Sequence, residues 1–254
     1  MEITTFFSMG ELRKFAEPGE ILVVFDIFGG SKVTIGAFNS GVQRLVPFTD
    51  YREAKRLKQI LGQDAVILCG EKDGQKYDGF DLGCSPKEFE PAICRNKIMA
   101  YVSEIFGEII QVTAPFKKVP VGGFNNLSRL ADSLKDEPMI NLYCAGRGEI
   151  FSFEDAVCAG MLISKLSRGK PATAGKPTDK GLDDNSVTAR YLYDHHKSDL
   201  FGMLKQSERG QKLVKLGRQS DLEYMAKVDI SSVIPCLVED RSHFVLSDNL
   251  YMRD

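Results

Sequence analysis

E-I-L-V-V-F-D-I-F, residues 20–28, is an apolar run from Ile21 onward that meets a single acid at Asp26. A strand buried on both faces has this composition, because layers packed on either side of a sheet leave no face for water. Asp26 then falls at the carboxyl end of the strand, where the ligand sites of α/β sheets gather. Two further runs repeat the pattern: Ala65–Cys69 opens onto G-E-K-D-G at 70–74, and Met139–Cys144 opens onto A-G-R-G at 145–148. Strands of this kind separated by helical segments define an α/β chain.

The intervening segments carry their own signals. After Gly29-Gly30-Ser31, Val33–Phe38 and Val42–Val46 read as strands. Asp50 with Glu53 has capping-box spacing, Ala54, Leu57 and Leu61 share a helical face, and Gly62 supplies a stop. Ser152 with Asp155 opens a second helix, lined by Ala156, Ala159, Ile163 and Leu166 and stopped at Gly169 and Pro171. Residues 167–186 lack apolar periodicity and are rich in Gly, Pro and Lys, which predicts a solvated loop or linker. Residues 187–216 are helical with breaks expected at Gly202 and Gly210, and strands return at Val233–Val238 and His243–Leu246. The chain is read as a single domain over 1–254, with room for two subdomains that meet near 135–145.

With 254 residues and 43% hydrophobic content, the chain can bury a substantial core. Lys+Arg 33 against Asp+Glu 35 leaves no basic excess for a nucleic-acid backbone, so a small molecule or a protein is the expected partner. The N-terminus has no charged segment leading into an apolar one, and no apolar run approaches the ~18 residues of a membrane span. A cytoplasmic protein with no membrane partner is expected, and a homodimer is the usual assembly for an enzyme of this size. The six cysteines form no C-x-x-C pair and read as reduced, buried thiols.

Several familiar motifs fail on spacing. Gly169 to Lys176 holds five residues between its glycines, and Pro177 stands where a P-loop needs a hydroxyl. Gly146-Arg147-Gly148 begins a dinucleotide fingerprint that Phe151 ends. His195 and His196 point about 100° apart on a helix, so they cannot chelate as a pair. His195 with Asp199 has metal-pair spacing, but exposed helix-end histidines are the plainer reading. No cysteine is followed six residues later by arginine, and Asp26-Ile27-Phe28 lacks the second aspartate of an aspartyl-phosphate enzyme. What remains is acids at strand ends and helix starts, Asp26, Glu71, Asp81, Glu154 and Asp155, with Lys32, Lys72 and Arg147 nearby in sequence. Grouped carboxylates can hold a hard cation such as magnesium, and the basic groups can neutralise a phosphate or sulfonate. Taken singly, each acid reads first as a helix cap or a solvated charge, and Ser152 with Asp155 already has a capping explanation.

G-F-D-L-G-C-S-P at 79–86, C-A-G at 144–146 and F-S-F-E-D-A-V-C-A-G at 151–160 resemble the 2-phosphosulfolactate phosphatase family. Shorter echoes lie at V-V-F-D-I (23–27), G-E-K-D-G (70–74), Ser207-x-x-Gly210-x-x-Leu213 and Gly217–Asp221, in the same order along the chain. The resemblance implies a layered α/β fold with a mixed sheet and flanking helices. It also implies a magnesium-dependent hydrolase that releases phosphate and sulfolactate from 2-phosphosulfolactate, an early step towards coenzyme M. It nominates Asp26, Glu71 and Asp81 for catalysis, Asp26, Asp81, Glu154 and Asp155 for Mg2+, and Ser31, Lys32, Lys72, Gly146, Arg147 and Ser152 for the substrate. Two segments depart from the family pattern. Gly29 stands where an arginine usually follows the first strand, and Tyr101–Gly107 replaces a Thr-Asn-Gly-Thr segment. Two classes of function therefore stay open, a phosphatase and a non-catalytic descendant that binds a small anion or a protein.

Overall fold

The run that opens at Ile21 is a strand as far as Phe25, and Asp26 is the first residue beyond it. Leu22, Val23 and Phe25 are fully buried in it, each side chain stabilising the fold by about 1.5–3 kcal/mol. A computed structural model describes residues 1–146, 148–167 and 180–249. Its first half contains β1 (Glu2–Phe6), α1 (Met9–Phe15), β2 (Gly19–Phe25), α2 (Gly30–Asn39), β3 (Arg44–Phe48), α3 (Tyr51–Leu61), β4 (Val66–Lys72) and β5 (Gln75–Lys76), then α4 (Pro91–Cys94), β6 (Ile98–Val102), α5 (Glu104–Val112) and β7 (Phe116–Gly122). The second half contains α6 (Leu127–Leu134), β8 (Met139–Cys144), α7 (Phe153–Ser167), α8 (Asp184–His196), α9 (Leu200–Gln206), α10 (Glu208–Lys215), α11 (Gln219–Met225), β9 (Pro235–Leu237) and β10 (Phe244–Leu246).

The described strands form one ten-stranded mixed sheet in the order β1-β8-β2-β7-β9-β10-β3-β6-β4-β5, flanked by helices. The four strands β1, β8, β2 and β7 are parallel, and so are β3, β6 and β4. The antiparallel hairpin β9–β10 joins the two blocks, pairing with β7 on one side and with β3 on the other. The carboxyl ends of β2, β4 and β6 nevertheless line one cavity.

Two sequence expectations need correction. Val33–Phe38 is the body of α2 and not a strand, and β3 begins only at Arg44. Residues 30–38 of α2 are all buried, so the helix has no polar face to reveal its period, and its β-branched residues resemble a strand. Gly202 and Gly210 lie inside α9 and α10, where their amides donate to the caps Asp199 Oδ1 (2.8 Å) and Ser207 Oγ (3.1 Å). The helices break at those caps and not at the glycines.

Other readings hold. Asp50 caps α3 through the Arg52 amide, and Gly62 ends it at φ 103°, a conformation that suits glycine. The Asp155 amide donates to Ser152 Oγ at 3.4 Å, at the start of α7. Residues 168–179, which include the expected stop at Gly169 and Pro171, lie outside the described residues. Residues 184–186 of the expected loop are the first turn of α8. All six cysteines are free and buried. Among the described residues, no helix is long and apolar enough to cross a membrane.

Candidate active site

Leaving β2, the chain turns at Asp26 and enters α2, and the turn is held by Asp26 itself. Its carboxylate Oδ2 accepts from the Gly30 amide at 2.6 Å, and its own amide donates to Ser31 Oγ at 2.9 Å. The next amide, Ile27, donates to Asp155 Oδ1 at 2.8 Å, while Asp155 Oδ2 accepts from Gly146 at 3.0 Å. One carboxylate thus fastens the loop after β2 to the loop after β8. Asp155 and Ser31 are buried behind the site and do this positioning work.

Arg209, in the first turn of α10, completes the centre. Its Nη1 lies 3.1 Å from Asp26 Oδ1, and its guanidinium lies over the Phe28 ring at 5.7 Å. Burial lowers the Arg209 pKa, but Asp26, Glu154 and Asp155 more than offset it, so the guanidinium is held charged. Burial raises the Asp155 pKa well above the usual carboxylate range, with Glu154 and Asp26 adding repulsion, and burial raises Glu154 as well. The centre is therefore a group of three carboxylates around one arginine.

A second ionic group stands across the cavity. Glu71, at the end of β4, accepts from Arg218 Nη1 at 2.7 Å and from the Cys84 amide at 3.3 Å. Arg218 also pairs with Asp221 at 2.7 Å, and Asp221 accepts from Ser85 Oγ at 2.7 Å. The 79–86 motif thereby buttresses Glu71 from below.

Between these groups lies a cavity of about 450 Å³, whose walls include Asp26, Glu71, Lys72, Tyr101, Ser103 and Arg209. A second lobe of about 480 Å³ shares Phe28, Glu71, Arg209 and Lys212 with it and reaches Lys32. On the far side of Arg209, Gly146, Ser152 and Glu154 line a small pocket of about 70 Å³. Asp81 lines none of these spaces; it accepts from the Leu68 amide at 2.7 Å and pairs with Lys58 at 2.6 Å, bracing α3 against β4. Arg147 lies outside the described residues.

Of the four acids named for magnesium, Asp81 stands apart from Asp26, Glu154 and Asp155, and no three His, Cys, Asp or Glu side chains among the described residues form a metal cage. Both oxygens of Asp155 are taken by amides. Magnesium commonly keeps several waters and takes one or two carboxylates together with substrate phosphate oxygens. Asp26 and Glu71 face the cavity in a position to do so, each already paired with an arginine and an amide. His195 and His196 close α8, with His196 edge-on to Phe153, and Asp199 is occupied as a helix cap.

Arg209, Arg218, Lys212, Tyr101 and Ser103 are the residues that local sequence patterns missed. The two arginines do fall within the echoes at 207–213 and 217–221, which was the available signal. A Cβ at Gly29 would overlap the Asp26 carboxylate, and Arg209 brings a guanidinium to that carboxylate from α10.

In this α/β fold, buried carboxylates near strand ends and an arginine from α10 face one polar cavity. Residues 7–240 match the family model described as 2-phosphosulpholactate phosphatase, and the chain belongs to that family. It is 28% identical over 248 residues to the probable 2-phosphosulfolactate phosphatase of Caldicellulosiruptor saccharolyticus, covering 95% of this chain and 98% of that one. A protein of the same description from Clostridium acetobutylicum is 27% identical, with 92% and 97% covered. Another from Caldanaerobacter subterraneus is 28% identical, with 85% and 87% covered.

Proposed function

We propose that this chain hydrolyses 2-phosphosulfolactate, a small phosphorylated sulfonate, to sulfolactate and inorganic phosphate. The observation that carries the reading is the buried Asp26–Arg209 pair, held in place by backbone amides at the wall of an open polar cavity. Apolar filling of that crevice would have favoured a non-catalytic descendant, and the crevice is open.

Phosphoryl transfer needs positioning and charge neutralisation more than covalent chemistry. Arg209 presents fixed donors to the phosphoryl oxygens, and Lys72 and Lys212 add positive charge at the rim. Asp26 orients a water for attack in line with the ester oxygen. The water oxygen bonds to phosphorus, the bond from phosphorus to the ester oxygen breaks, and the proton is delivered to the leaving oxygen. Magnesium bound by Asp26 and Glu71 would contribute further neutralisation of the phosphoryl charge. Gly146, Ser152 and Glu154 line a small pocket together with Arg209, and the charge of Glu154 acts on that guanidinium. The reading carries with it a cytoplasmic location, a homodimer, and a product leading towards coenzyme M, with neither nucleic acid nor membrane as partner.

The test is phosphate release from 2-phosphosulfolactate by the purified protein, with magnesium and with a chelator, beside Asp26→Asn. Turnover that depends on the metal and is lost in the variant supports the reading. Absence of release above background from folded protein overturns it.

A further inference from the structure

Lys32 is 2% exposed, in the first turn of α2, and lines the second lobe of the cavity. It makes no hydrogen bond or ion pair among the described residues. The acids that act on it through space are already committed: Glu71 to Arg218 and the Cys84 amide, and Asp221 to Arg218 and Ser85. Lys32 Nζ is not among the fully enclosed partnerless atoms, so the ammonium opens into the lobe, where an incoming anion would replace water as its acceptor. The lobe that Lys32 faces has further cations at Arg209, Lys212 and Lys215 against the acids Glu71 and Asp73, and an apolar wall of Phe28, Leu213 and Leu216. This combination suits a short carbon skeleton ending in a strong acid.

We infer that the Lys32 lobe is a second-anion subsite, which takes the sulfonate or carboxylate of the substrate while the Asp26–Arg209 centre holds the phosphate. The inference rests on the hydrolase reading for its substrate, and its binding experiment stands apart from turnover. Burial lowers the Lys32 pKa, as expected of an unpaired cation that becomes fully favourable only when its ligand binds. Arg209 and Lys212 line both lobes, so one molecule can span them.

The experiment uses the full chain with Lys32→Met and Lys32→Arg, and three phosphate-free probes: sulfolactate, 2-hydroxyethanesulfonate and lactate. Binding is read by calorimetry and by thermal denaturation. The wild-type protein is expected to bind sulfolactate and to melt higher in its presence. Lys32→Met should bind it on the order of 10- to 100-fold more weakly, the loss of one charged hydrogen bond, with Lys32→Arg in between. Without ligand, Lys32→Met should melt higher than wild type, because an unpaired buried charge is gone. Loss confined to 2-hydroxyethanesulfonate assigns the sulfonate to Lys32, and loss confined to lactate assigns the carboxylate. A folded Lys32→Met that binds sulfolactate as tightly as wild type overturns the subsite. So does a Lys32→Met that melts lower without ligand, which would make Lys32 a structural ion-pair partner. Sulfolactate binding that needs Lys32, in a protein that releases no phosphate, would keep the subsite and remove the hydrolase reading.

Discussion

Arg209 lies 183 residues after Asp26 in the chain and holds its guanidinium 3.1 Å from that carboxylate. Removing it leaves Asp26 buried and unpaired. Arg209→Met is expected to lower stability by about 3 kcal/mol, the low end for breaking a buried pair, since Arg209 keeps partial exposure. Arg209→Lys should retain more of the fold and still lose about 10²–10³ in kcat/KM, because lysine lacks the fork. Urea denaturation beside phosphate-release kinetics separates the two effects. Equal activity in Arg209→Lys and wild type would remove the arginine from the chemistry.

Asp155 accepts one backbone amide on each oxygen, from Ile27 and from Gly146. An asparagine can satisfy only one of them and turns a donor towards the other. Asp155→Asn is expected to cost about 1–3 kcal/mol in chemical denaturation and to loosen the loop that carries Asp26. Wild-type stability in this variant would show that the two loops are held by other means.

Gly30 leaves the space that the Phe106 ring fills, and a Cβ built there would overlap that ring. Gly30→Ala should destabilise by about 1–3 kcal/mol. Adding Phe106→Leu should recover part of the loss, read as non-additivity in a double-mutant cycle. Strict additivity would disconnect the two positions.

Burial puts the folded-state pKa of Lys32 below the ordinary lysine value that the unfolded chain retains. Between those two values the unfolded chain binds the extra proton, so stability rises with pH across that window and is lowest beneath it. The groups acting on Lys32 are Cys84, Glu71, Arg218 and Asp221. Melting temperature is expected to climb from neutral pH towards alkaline pH in wild type relative to Lys32→Met. Parallel profiles for the two proteins would contradict the unpaired state of this lysine.

The strands β2, β4 and β8 were legible because each is a short apolar run that ends in glycine or charge, and α3 and α7 because their caps are in the sequence. The helix α2 was not, since a helix buried on every side shows no period. The site was half legible for a different reason. Asp26, Glu71 and Lys72 sit at strand ends, where local pattern and topology coincide, and the structure brings them to one cavity. Arg209 and Arg218 arrive on short late helices with ordinary surface composition, and only tertiary packing turns them inward. Asp81 shows the opposite error. It lies in the most family-like motif, yet its carboxylate serves Lys58 and the Leu68 amide.

The hairpin β9–β10 sits in the middle of the sheet but is the last strand pair among the described residues. During synthesis, β7 and β3 therefore wait as open edges until residues 235–246 have left the ribosome. Exposed edges of this kind recruit other chains. The segments that carry Arg209 and Arg218 also emerge late, so the cavity wall and the sheet are completed at nearly the same moment. A ribosome stalled before the hairpin would hold a chain whose β7 and β3 edges are still open to other chains.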